Sequence, residues 1–237
     1  MERSIAERRF VAWLASLLLA VVGESCYAQT WTEGVHYFPV SPPQRTSVPA
    51  GKVEVMEVFS YACPACNVFQ PVMRRIKASL PANAQVVYLP ASFIPSEDWP
   101  VFQRAFFAAD ALGIVEKTHD AMFDAVWTTG ELAVSDRTTH QLKSPLPTIE
   151  DIARFYARTA GVKPDTFVAA AKSFGVDAKM KAADAQIGAM NALSTPTIIV
   201  NGKYRLTAQS AQGYDQLFQL VTYLVAKESS PATAGSR

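Results

Sequence analysis

The sequence predicts an α/β fold: a β-sheet with a dithiol at the mouth of its first long helix, and a helical domain inserted within it. Three observations predict it. A Val-rich run, Val53–Phe59, has little polar content and stops just short of Cys63-Pro64-Ala65-Cys66. From residue 97 to 182 the apolar residues recur at helical spacing with no strand signal. Two β-rich runs then flank Asn201-Gly202, a pair that suits a tight hairpin because both residues tolerate positive φ.

The chain opens with an export signal. Arg3, Arg8 and Arg9 precede an apolar stretch over 10–22, and Cys26 and Ala28 supply small residues two apart. A basic start, a short apolar core and such a pair describe a cleaved signal peptide, here over 1–28. The apolar run is too short for a spanning helix, which needs about 20 residues. Cleavage removes Glu2, Glu7 and Glu24 with the three arginines, so the net charge stays at +1. No basic stripe or acidic block marks a nucleic-acid or strongly charged partner.

Further along, residues 35–40 suit an edge strand, bounded by Ser41-Pro42-Pro43. Val53–Phe59 suits a strand buried on both faces. Pro64 falls where a helix starts and its missing N–H costs nothing. Val68, Phe69, Val72, Met73 and Ile76 continue that helix over 64–80, with Pro71 expected to kink it. Val86-Val87-Tyr88-Leu89 centres a strand over 85–89. Phe102, Ala105, Phe106, Ala109 and Leu112 make one helix face; Val115, His119, Met122, Phe123 and Val126 make another. Gly113 and Thr128-Thr129-Gly130 are stops, and a polar loop covers 135–147. Thr148 and Asp151 frame a capping box ahead of Ile152, Phe155 and Tyr156. Gly161, Pro164 and Gly175 mark further helix boundaries. Strands at 197–200 and 203–206 precede a last helix over 213–226, and 229–237 is a small, polar, flexible tail. The domains follow: 29–96 with 183–228 around the sheet, and 97–182 as the helical insertion.

Once Cys26 leaves with the signal, Cys63 and Cys66 are the remaining cysteines. A secreted domain stapled by disulfides carries more of them, more widely spaced. Zinc takes four ligands, and His36, His119 and His140 have no ligand spacing around this pair. Haem attachment needs His after the second Cys, where this chain has Asn67. Two thiols at a strand–helix junction suit reversible dithiol–disulfide exchange through a mixed disulfide. Cys63, ahead of the helix, can face solvent and the helix N-terminus, which stabilises a thiolate. Cys66, inside the first turn, is less accessible. The pair thus has the makings of a protein disulfide oxidoreductase with no organic cofactor or metal.

Two segments carry a family resemblance: Phe59-Ser60-Tyr61-Ala62-Cys63-Pro64-Ala65-Cys66 and residues 195–204, Thr-Pro-Thr-Ile-Ile-Val-Asn-Gly-Lys-Tyr. Together they resemble the periplasmic thiol:disulfide interchange proteins of the DsbA family, whose fold is thioredoxin-like with an inserted helical domain. The resemblance implies that Cys63 is the exposed nucleophile and Cys66 the buried resolving thiol. It implies that Pro196, after Thr195, is a cis-proline opposite the pair, and that Thr195, Pro196, Pro64 and Ala65 meet the substrate. It implies that Glu57 is a buried acid beneath the thiols, exchanging the proton of Cys66; an ion pair with Lys52 is the structural alternative. It also implies clients that are reduced, newly exported proteins, a quinone-linked DsbB-like membrane partner that restores the disulfide, and a monomer working in the periplasm. Relatives often carry His at the position of Ala65, so this pair is expected to be less oxidising than theirs.

Trp99, His119 and Trp127 read as packing residues of the helical block. Phe59 and Tyr61 read as an apolar rim for unfolded substrate or as core. A reductase or isomerase on the same fold, and a thioredoxin-fold copper carrier or chaperone, are the alternatives. The segment before Val53 is short for an isomerase's dimerisation domain. Small copper carriers favour Met just before the pair, where this chain has Ser60-Tyr61-Ala62.

Overall fold

A computed structural model of the chain describes residues 30–136 and 138–230. The expected signal peptide, and 231–237 of the expected tail, lie outside the described residues. Five strands form one sheet in the order β1-β5-β4-β2-β3: β1 Phe38–Pro39, β2 Val53–Phe59, β3 Ala84–Pro90, β4 Thr197–Val200 and β5 Tyr204–Leu206. The β2–β3 pair is parallel and the other pairs are antiparallel. Every residue of β2 is buried, which accounts for its unbroken apolar run. A parallel pair needs a crossover, and helix α1, Pro64–Ser79, supplies it.

Alternation along β2 sends Val53 and Val55 to one core and Met56 and Val58 to another. The first core lies under α1 and the last helix, α8 (Tyr214–Ser229). Phe69, Met73 and Ile76 of α1 meet Leu217, Leu220, Val221, Leu224 and Val225 of α8 there. Full burial of each such side chain stabilises the fold by at most about 1.5–3 kcal/mol. Val68 falls off this face and is 60% exposed. The helix runs on through Pro71 as one element.

The second core holds the helical block: α2 Trp99–Ala111, α3 Val115–Phe123, α4 Ile149–Ala160, α5 Pro164–Ala171 and α6 Phe174–Ala189. Helix α3 passes into a π-helical turn, Asp124–Thr128. The Thr148–Asp151 capping box opens α4 and Gly161 closes it at φ 73°. Helix α6 runs without a break across the expected 182/183 domain junction. Asn201 and Gly202 turn the β4–β5 hairpin at φ 53° and 65°. Gly202 is also sterically required, since a Cβ there would lie 2.1 Å from the Gln44 carbonyl oxygen. The sequence did not anticipate the 3-10 turn Pro95–Glu97, the π-helical turn, the short helix α7, Ala208–Ala211, or the extension of α8 to Ser229, one residue into the expected tail, and the edge strand expected over 35–40 is reduced to Phe38–Pro39. Among the described residues, no helix is long and apolar enough to cross a membrane.

Candidate active site

Cys63 and Cys66 are free thiols, and they define the site. Cys63 is the N-cap of α1, in extended conformation, with Pro64 at the first helical position. An N-cap side chain ordinarily accepts from an N–H of the first turn; here sulfur does so, at 3.2 Å from the Cys66 amide. The Thr195 hydroxyl donates to the same sulfur, also at 3.2 Å. The Cys63 thiol is held down to about 6. The Cys66 thiol facing it is the largest cause, burial opposes it, and Thr195 and the first-turn amides assist.

The structure corrects one expectation. Cys63 does not stand out in solvent: it is 4% exposed, against 0% for Cys66. A sulfur that accepts from both the helix turn and the Thr195 segment is necessarily enclosed by them. The order of accessibility still holds. Burial, followed by the facing Cys63 sulfur, pushes the Cys66 thiol far upward, so it stays protonated.

Glu57 is fully buried on the β2 face that carries Val53 and Val55. Neither carboxylate oxygen has a hydrogen-bond partner, and Lys52 does not pair with it. Burial, then the neighbouring charge of Cys63, raises its pKa well above the usual carboxylate range. The protonated acid is therefore the favoured form.

On the other side of the Cys63 sulfur, the Thr195–Pro196 bond is cis. Both residues are half-buried, while Pro64 and Ala65 are exposed. The Thr197 hydroxyl donates to the Ser194 carbonyl at 2.7 Å and fixes the turn into β4. All seven residues singled out from the sequence thus lie around one pair of sulfurs: Cys63, Cys66, Glu57 below, and Pro64, Ala65, Thr195 and Pro196 at the mouth.

The thioredoxin family model matches residues 48–220. The chain is 32% identical to the thiol:disulfide interchange protein DsbA of Pseudomonas aeruginosa strain PAO1, over 91% of this chain and 94% of that one. It is 31% identical to the DsbA of Pseudomonas syringae pv. tomato, over 96% and 99%. The chain belongs to the DsbA family. Solved structures agree: oxidoreductase DsbA of Xylella fastidiosa superposes with a TM-score of 0.73 at 31% identity, over 84% of this chain and 98% of that one. The DsbA of Pseudomonas aeruginosa superposes at 0.69 with 33% identity, over 84% and 94%. As a DsbA-family chain, this protein is a disulfide oxidoreductase with the thioredoxin-like fold and its inserted helical domain.

Around this DsbA-type site the structure adds what the sequence did not reveal. Beyond its expected place beside the pair, Thr195 turns its hydroxyl onto the Cys63 sulfur. Phe59 and Tyr61, 0% and 1% exposed, are core and not rim. Tyr61 is held from the helical block, its hydroxyl 2.9 Å from Nδ1 of His119 and its carbonyl accepting from Trp127 Nε1 at 2.7 Å. No local pattern signals these contacts, which join residues far apart in the chain.

Proposed function

We propose that this protein donates disulfide bonds to newly exported proteins in the periplasm, reaching it by cleavage of the signal over 1–28. The observation that carries this reading is the pair of donors on Cys63 Sγ, with the thiol held near 6. At pH 7 about nine in ten such groups are thiolate. A stabilised thiolate is a good leaving group, so the disulfide that contains it is readily passed on.

In the oxidised protein a client thiolate attacks Cys63 Sγ. The Cys63–Cys66 bond breaks and Cys66 leaves with the electron pair. Buried and unable to remain charged, Cys66 takes a proton, for which Glu57, a buried acid that acts electrostatically on Cys66, is the candidate donor. The client's second thiolate then attacks its own sulfur in the mixed disulfide. Cys63 leaves as a thiolate, the client gains a disulfide and the protein is left as the dithiol. The pair at the mouth, Thr195 and Pro196, together with exposed Pro64 and Ala65, receives the client chain. A quinone-linked, DsbB-like membrane protein restores the disulfide, and the chain works as a monomer.

Mixing the oxidised protein with a reduced, unfolded test protein measures the transfer directly, as client disulfide formed per equivalent. A reduction potential for the pair completes the test. A value near the roughly −270 mV of thioredoxin would make the protein a reductase and overturn the donor reading.

A further inference from the structure

Tyr61 sits two residues before Cys63, and the turn between them is closed by its own bonds: the Cys63 amide donates to the Ser60 carbonyl at 3.1 Å, and the Ala62 amide to the Ser60 hydroxyl at 3.2 Å. Both outer ends of Tyr61 are gripped by one helical segment. His119 on α3 takes its hydroxyl, and Trp127 takes its carbonyl. We propose that His119 and Trp127 are positioning residues for Cys63: by gripping Tyr61 they fix the turn from Ser60 to Cys63, and so set how closely Cys63 Sγ meets the Cys66 amide and the Thr195 hydroxyl.

Two further observations support this. The first is the π-helical turn that carries Trp127. Such turns interrupt helices where a side chain must be re-aimed, frequently at functional sites. It is pinned by Thr129 donating to the Asp124 carbonyl at 2.8 Å and Leu132 to the Ala125 carbonyl at 2.9 Å. The second is the surroundings of His119. Its ring stacks on Tyr88 at 4.0 Å and meets Phe59 at 5.1 Å and Phe123 at 5.4 Å edge-on. His119 is 4% exposed and its Nε2 has no partner. An unpaired buried nitrogen costs stability, and a Phe in this aromatic setting would leave none. The one bond that the imidazole adds is the bond to Tyr61. Burial holds the ring neutral, at about 3, so the grip persists across the range in which Cys63 titrates.

The inference rests on the reading of Cys63 as the nucleophile, and one titration tests both. Thiolate absorbance is followed against pH in the reduced full chain and in Tyr61→Phe, His119→Phe, His119→Asn and Trp127→Phe. The parent is expected to titrate near 6. Loss of either grip should raise the midpoint by about half a unit, a threefold fall in the thiolate-to-thiol ratio at fixed pH. His119→Asn, which keeps a polar atom near the position of Nδ1, should stay close to the parent. A lower melting temperature with an unmoved midpoint in Tyr61→Phe and Trp127→Phe would make the grip merely structural and overturn the inference alone. A parent that titrates as an ordinary thiol would overturn the reading of Cys63 as well. Tyr61→Phe removes one oxygen and keeps the ring, so it decides the matter if His119→Phe does not fold.

Discussion

The hydroxyl of Thr195 lies 3.2 Å from the sulfur of Cys63, across 132 residues of chain. The two residues stand on opposite sides of the inserted helical domain, so the contact joins the two sequence halves of the sheet at the reacting atom. Its consequence is electrostatic. A hydroxyl that donates to sulfur favours the thiolate, as does the Cys66 amide on the same atom.

Thr195→Val is therefore expected to raise the Cys63 pKa while keeping the shape of the side chain. The shift should be about half to one unit, each unit being about 1.4 kcal/mol, and the disulfide should become less oxidising to match. A thiolate titration and a glutathione equilibration read the two quantities. An unchanged midpoint would show that the hydroxyl does nothing for the sulfur.

Reduced and oxidised protein should differ in stability in a pH-dependent way. The folded Cys63 thiol titrates near 6, against about 8.5 in an unfolded chain. A depressed folded pKa adds stability that is full above the unfolded value, declines as pH falls below it and is lost below the folded one. The reduced form should gain on the order of 1.5 kcal/mol by pH 7 and about 3 kcal/mol near pH 8.5. Above that, Cys66, held protonated by burial, offsets further gain because an unfolded Cys66 ionises. Urea midpoints of both forms from pH 5 to 9 check the trend; a gap that does not widen between 6 and 8.5 contradicts it.

Glu57 carries the opposite sign. Its folded pKa is raised by burial and then by Cys63, so its contribution is full below the unfolded value of about 4.3 and is lost as pH rises toward the folded one. Glu57→Leu should stabilise both redox forms at neutral pH by about 1–3 kcal/mol, with the benefit gone by about pH 4. The gain should be larger in the reduced form, where the Cys63 thiolate adds repulsion. Equal stabilities of parent and variant at pH 7 would mean that the carboxyl is not buried unpaired. Slower transfer in the same variant would support a proton role for Glu57.

Cys63→Ser should abolish oxidation of a reduced client. In Cys66→Ser the Cys63 thiolate can still attack a client disulfide, releasing one client thiolate, but no Cys66 thiol is present to resolve the product, so mixed disulfides with oxidised clients should accumulate and be visible on non-reducing gels. Trapping by the Cys63→Ser protein instead would reverse the two roles.

Ala65 is exposed at the second position of α1. Ala65→His places a ring donor there, beside the helix N-terminus that already favours the thiolate. The Cys63 pKa should fall and the reduction potential should rise, every 30 mV corresponding to about 1.4 kcal/mol for this two-electron couple. A potential at or below that of the parent would show that position 65 does not reach the sulfur.

Much of this was readable along the chain. The buried strand, the Cys-Pro-Ala-Cys helix start, the capping box at Thr148 and the Asn201-Gly202 hairpin are each written within a few neighbouring residues. Backbone sterics, helix capping and apolar period act at that range, so the sequence by itself determined the main strands and helices, their order and the presence of a dithiol at a helix mouth. The resemblance in residues 59–66 and 195–204 supplied the reaction class. What only the tertiary structure decided is how the thiols are surrounded. Cys63 proves enclosed because Thr195 closes over it. Glu57 proves unpaired because alternation in β2 turns it into the core beneath α1. Tyr61 proves a held residue because α3 and the π-helical turn bring His119 and Trp127 to its two ends. These contacts join residues distant in the chain, and nothing in the local pattern encodes them. A thiol's acidity depends on the few donors and charges within hydrogen-bond reach, and folding alone brings them there.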